Sequence, residues 1–326
     1  QQRQLDQAEK KLQQADKALA DAARKVQQTA NRKKQAEEKI STLEQQQNTL
    51  QKQLAEQQHL LAAQLKGAYS LGQHDYSRLL LNQDDTGKLE RLLTYYHYFN
   101  QARIKQLAEI NQTADELTAV LDKLTQQQQV LISELQALEQ QQQQLSLARN
   151  EQQDSIKQLQ QVLAKQGNQL TYLRQNESSL QNTINELRRK AELSKEMAGL
   201  KKGKGRFPWP LKGSLLQRFG QSRQGGMTSQ GIIIKANSGH EVNAIAAGRV
   251  IYADWLKGYG WVIVLDHGAG FMSLYGHNQS LLKQPGDQVV ASDVIALVGA
   301  SGGQVETGLY FEIREKGDAV NPLLWL

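Results

Sequence analysis

The chain contains no cysteine, which excludes disulfides and thiolate metal sites and leaves no thiol at risk in an oxidising compartment. It has four prolines and four tryptophans among 326 residues, and all of them lie beyond residue 207. The first two hundred residues therefore lack the strongest helix breaker. No apolar run long enough to cross a bilayer as a helix is present. The net charge of +6 is unevenly spread. Between Glu186 and Arg206 eight Lys and Arg face three Asp and Glu, whereas residues 207–326 balance at nine against nine. That excess reads as a basic linker, and no aromatics are interleaved with it as single-strand binding requires. Nucleic acid is not an expected partner.

What fills the first half is a seven-residue repeat. Leu5, Leu12, Leu19 and Val26 are followed three residues later by Ala8, Ala15, Ala22 and Thr29, which is the seam of a coiled coil. Ile40, Leu43, Leu50, Leu54 and Leu61 continue it to about residue 66, on the order of 100 Å at 1.5 Å per residue. Ile110, Leu117, Leu124, Leu131, Leu138 and Leu145 form a second seam. Gly67, Gly72 and Gly87 interrupt the repeat between them. This pattern predicts an antiparallel coiled-coil hairpin over residues 1–190. Short helices at its turn (about 67–98) would be packed by Leu79, Leu80, Leu81, Leu92, Leu93 and Tyr95. A parallel dimeric coil is the competing arrangement. The second arm is expected to run from about Ile104 to Leu187 as one helix, and the glutamine runs 126–129 and 140–144 as its solvated faces. The chain begins at Gln1, already inside the repeat, so a targeting segment is expected to have been removed from its start.

Beyond residue 207 the period changes from seven to two, in GIIIKA, GRVIYADW, GWVIVLDHG, VIALVG and GLYFEIR, each bounded by glycine or a turn dipeptide. An all-β domain is predicted. A swinging-arm carrier domain has a similar pairing of short strands, but its lysine at a hairpin tip is not found.

Read in order, SQGIIIKA, GHEVNAIAAGRVIYAD, GYGWVIVLDHGAGFMSLYGH, PGDQV and GLYFEIR resemble the LytM-type zinc endopeptidases, which cut peptidoglycan crosslinks. The resemblance implies a lysostaphin-like fold over residues 207–326. In that family His-x-Gly-x-Asp supplies two zinc ligands and His-x-His the third. Carried over by position, these motifs fall on Ser229, Ile233, Gly308 and Tyr310, while His277 alone keeps the family's residue. A catalytic zinc needs three protein ligands and an open position, so no cofactor is expected and the domain is read as a degenerate peptidase without enzymatic activity. Ile233, Tyr259, Val262, Tyr275, His277, Tyr310 and Arg314 are expected to line a cleft suited to a protein partner.

The whole chain resembles the coiled-coil murein hydrolase activators of Gram-negative division sites. That resemblance implies a periplasmic protein whose β domain activates zinc N-acetylmuramoyl-L-alanine amidases, and whose coil is held by the periplasmic region of FtsX in the FtsEX ABC complex. Peptidoglycan is a further partner it allows. Relatives carry an arm with a helix that covers the cleft, for which only the linker 191–206 is left here, with Leu193, Met197 and Leu200 as its apolar positions. Two other readings stay open: an active zinc endopeptidase with an unusual ligand set, and a structural peptidoglycan-binding spacer.

Overall fold

A computed structural model of the chain describes residues 2–72, 86–166, 169–191, 199–222 and 227–326. The fold is α+β: long helices in antiparallel pairing precede an antiparallel β domain. The chain divides into two compact units, residues 29–138 and residues 1–28 with 139–326.

Helix α1 spans Gln2–Gly72 and α2 spans Thr86–Gln166. Within the first unit Arg32 Nε meets a carboxylate oxygen of Glu134 at 3.2 Å. Within the second, Lys11 Nζ donates to Gln158 Oε1 at 3.0 Å and Gln152 Nε2 to Asp16 Oδ1 at 2.6 Å. One number rises as the other falls, so the arms are antiparallel. Leu5 and Leu12 are buried against Ile156, Leu159 and Leu163, whereas Leu117, Leu131 and Leu138 of the second seam are only half-buried. Two helices alone leave the flanks of their seam open to water.

Two sequence expectations change here. At the turn, residues 67–72 continue α1 and 86–98 open α2, since a helix tolerates a single glycine such as Gly67 for about 1 kcal/mol. Tyr95 is 71% exposed rather than packed; Leu79, Leu80 and Leu81 lie outside the described residues. The second arm is not one helix to Leu187: α2 ends at Gln166, and a separate helix α3 spans Gln169–Ala191.

The β domain contains β1 Leu215–Gln217, β2 Ile232–Lys235, β3 Glu241–Asn243, β4 Gly248–Leu256, β5 Gly260–Gly268, β6 Phe271–Leu281, β7 Gln288–Val289, β8 Val294–Val298, β9 Gly308–Glu315 and β10 Asp318–Val320. The main path is β1-β2-β9-β6-β5-β4-β7, with β10 on β9 and β8 bridging β3 and β6. Strand β6 pairs with β5, β8 and β9 and is buried along its whole length. The two-residue period sorts its neighbours onto two faces. Ile263, Leu265, Phe271, Tyr275, Leu309, Phe311 and Ile313 enter the domain core. Val262, Val264, Met272, Leu274 and Tyr310 face the other way and pack under Leu180, Ile184 and Leu187 of α3. Leu200, expected as part of a cover, is instead 1% exposed within the core, fixed there by Gly199 N–H donating to His267 O. Leu193 and Met197 lie outside the described residues.

Candidate binding slot under helix α3

The apolar positions of α3 recur at steps of four and three, so Leu180, Ile184 and Leu187 share one edge. That edge rests on Ile233, Tyr259, Val262 and Tyr310, four of the residues expected to line a cleft. The register of β2 on β9 sets Ile233 directly opposite Tyr310. A cavity of about 110 Å³ remains beneath the first turns of α3, bounded by Asn176 and Glu177 above and by Ile233, Tyr259, His277 and Tyr310 below.

His277 has a φ of 58°, in the left-handed region. Its Nδ1 lies 2.9 Å from the carbonyl of Ser301, so that nitrogen carries the proton and donates. The ring stacks on Tyr259 at 6.2 Å and meets the edge of Tyr310 at 6.0 Å.

Arg314 closes the other end of the slot. It is 3% exposed, and its Nε donates to Glu312, whose other oxygen accepts from the Tyr310 hydroxyl at 2.8 Å. Its Nη1 donates to Gln181 Oε1 of α3 at 2.8 Å and to Gly317 O at 3.0 Å. Burial raises the pKa of the Glu312 carboxyl, and the charge of Arg314 and both hydrogen bonds oppose that rise. Burial, with the Glu312 charge beside it, also pushes the Tyr310 hydroxyl well above its usual value.

Tyr275 is not in the slot. Alternation along β6 turns it to the core face, where its hydroxyl accepts from Ile245 N–H at 3.1 Å and from Ser273 Oγ at 3.0 Å. Sequence reading also missed α3 as the slot's cover. The signal was the Gly167-Asn168 dipeptide inside an otherwise unbroken helical pattern.

The residues that the family resemblance puts at ligand positions do not fit zinc. Ser229 Oγ donates to Gly231 O at 3.0 Å, Ile233 has no donor atom, Gly308 has no side chain, and the Tyr310 hydroxyl is committed to Glu312. Among the described residues no three His, Cys, Asp or Glu side chains are grouped as metal ligands. What the slot offers is an aromatic and aliphatic floor with one buried guanidinium, which suits an amphipathic helix.

This is an M23-type peptidase fold. Residues 227–322 match peptidase family M23. The murein hydrolase activator EnvC of Escherichia coli K12 is 38% identical, the match covering 83% of this chain and 73% of that protein. The chain belongs to the EnvC family of murein hydrolase activators. The murein hydrolase activator NlpD of the same organism is 40% identical over 36% of this chain and 30% of its own. Among solved structures, a putative peptidase M23 from Pseudomonas aeruginosa aligns at 24% identity with a TM-score of 0.33, over 37% of this chain and 51% of that one. The catalytic domain of lysostaphin from Staphylococcus simulans aligns at 25% identity with a TM-score of 0.32, over 34% of this chain and 89% of that domain.

Proposed function

We propose that this chain is a non-enzymatic activator of peptidoglycan N-acetylmuramoyl-L-alanine amidases, working in the periplasm at the division septum. The β domain offers the slot of Ile233, Tyr259, Val262, His277, Tyr310 and Arg314 to a helix of the amidase, and the periplasmic region of FtsX holds the coil. The observation that carries this reading is that the slot already holds an amphipathic helix, α3, through three deep apolar anchors and hydrogen bonds from Arg314 to Gln181 and from Arg188 to the Lys316 carbonyl. In the described state that helix keeps the slot closed. The cover is therefore drawn from residues 169–191, upstream of the 191–206 segment where the sequence placed it. Shifting such a seat from mostly closed to mostly open requires roughly 5 kcal/mol of differential binding. A transporter acting on the coil and an incoming helix could supply that jointly. The names of the curated relatives support the activator role, and the donor chemistry at the ligand positions disfavours a zinc endopeptidase.

The test is dye release from labelled sacculi with a zinc amidase present or absent. The chain alone should release nothing. With amidase, Ile184→Asp should stimulate at least tenfold more than the unaltered chain, and adding Tyr310→Ala or Arg314→Glu should cancel that gain. Release by the chain alone, or equal stimulation by all variants, would overturn the reading.

A further inference from the structure

A buried carboxylate lies outside the slot and is used by nothing described so far. Asp16, on α1, is 1% exposed. Its Oδ1 accepts from Gln152 of α2, and its Oδ2 accepts from Trp255 Nε1 and from the backbone N–H of Gly302, both at 2.9 Å. Its own backbone carbonyl accepts from Trp261 Nε1 at 3.2 Å. The two indoles face each other in register across the β4–β5 hairpin, and both are aimed at one residue of the coil.

The loops held in this way are the ones that wall the slot. The hairpin turn between Trp255 and Trp261 contains Gly258, where an added Cβ would collide with the Asn176 side chain of α3, and Tyr259, which lies under the Leu180 edge. The turn at 301–303 holds His277 through the Ser301 carbonyl. Beside them Lys257 pairs with Glu9 of α1 at 2.8 Å and lies over the Tyr172 ring of α3, itself packed among Leu5, Leu12 and Leu159. The start of α3 thus belongs to the coil base and its end to the sheet.

We infer that Asp16 is a positioning residue, a polar latch by which the coil base fixes the β4–β5 and 301–303 loops in the arrangement that seats α3. Drawing Asp16 away leaves two half-buried indole donors and the buried backbone N–H of Gly302 without their acceptor, so the loops rearrange and the seat weakens. The inference rests on the reading of α3 as the slot's cover, but its test does not need an amidase.

Hydrogen exchange is measured on the full chain carrying Asp16→Leu, Asp16→Asn or Trp255→Phe. In Asp16→Leu, amides of residues 176–187 and of 258–261 should exchange at least tenfold faster, with β6 and residues 29–138 unchanged. Asp16→Asn should recover most of the protection, because its oxygen can serve Trp255 and Gly302 while Gln152 turns its amide. Trp255→Phe, which removes one donor and leaves the Asp16 carboxyl held by Gln152 and Gly302, covers the case in which Asp16→Leu fails to fold, and it should speed α3 exchange about fivefold. Faster exchange at Gly302 alone, with α3 unchanged in every variant, would show a local hydrogen bond and overturn the latch. Faster α3 exchange without a gain in amidase stimulation would keep the latch and sink the activator reading.

Discussion

The second seam and the edge of α3 bury their leucines in different ways. Along the second seam, residues 110–145 of α2, the contacts are spread over many turns and most are shallow: Leu117, Leu131 and Leu138 stay half-buried, and Leu124 is the deepest of that stretch's leucines at 9% exposed. Where α3 meets the sheet three side chains carry the apolar contact, with Leu180 1%, Ile184 0% and Leu187 5% exposed. A seam of many shallow contacts loses little at any one position and cannot be exchanged in a single step. A helix held by three deep anchors can leave as a unit, and another helix with the same spacing can take its place. On the proposed function, the difference separates a scaffold from a switch within one run of helical sequence.

The largest expected effect breaks that contrast most directly. Ile184→Asp places an unpaired charge at a fully buried position among apolar side chains, which costs about 4 kcal/mol and should raise amide exchange in α3 about a thousandfold. Leu131→Asp, on the half-buried seam, should cost about 1 kcal/mol and change exchange near it about fivefold. Equal effects at the two sites would mean that α3 is only a continuation of the coil.

The sequence carried the coil well, because six leucine and isoleucine positions spaced by seven mark a coiled-coil seam. It carried the β domain through its glycine-bounded period of two. It did not carry the break before α3. Over three turns, steps of four and three suit a coiled-coil seam and a sheet-packed helix equally, so Leu180, Ile184 and Leu187 say nothing about what they will meet. Tyr275 failed for a related reason. Its place in the family pattern drew it toward the slot, but an odd number along β6 puts it with Phe271 on the core face, while Met272 and Leu274 face α3. The hydrogen bonds that join Glu312 to Tyr310 and Arg314 were not legible in the sequence.

The sheet beneath α3 has its own point of weakness, and a change of pH separates it from the coil. His267 is buried, with Nδ1 2.7 Å from Ala247 O and Nε2 2.7 Å from Ser273 Oγ, and burial lowers its pKa to about 4 against a weaker upward pull from Ala247. The unfolded imidazole takes a proton near 6.5 and the folded one only near 4. Stability is therefore complete above pH 6.5 and falls as pH drops toward 4, by about 3 kcal/mol. All four tryptophans lie in the β domain, so their fluorescence follows that domain together with the contact of Trp255 and Trp261 to Asp16. Denaturation of the unaltered chain should show this loss between pH 7 and 4, and His267→Gln should flatten it. An unchanged pH profile in that variant would place the acid sensitivity elsewhere.

The smallest effect belongs to the coil. Arg32 and Glu134 form an ion pair at 3.2 Å with the arginine side chain 56% and the glutamate 17% exposed. Water screens such a pair, and ordering two long side chains offsets much of its attraction, so Arg32→Ala should cost less than about 1 kcal/mol. Exchange in residues 29–138 should rise less than fivefold, and the effect should fade in 0.5 M salt as the ionic atmosphere contracts. The α3 seat should not respond, because the latch and the three anchors lie among residues 1–28 and 139–326. A response of α3 to Arg32→Ala as large as that to Asp16→Leu would mean that seam and seat share their stability, and the division into scaffold and switch would then fail.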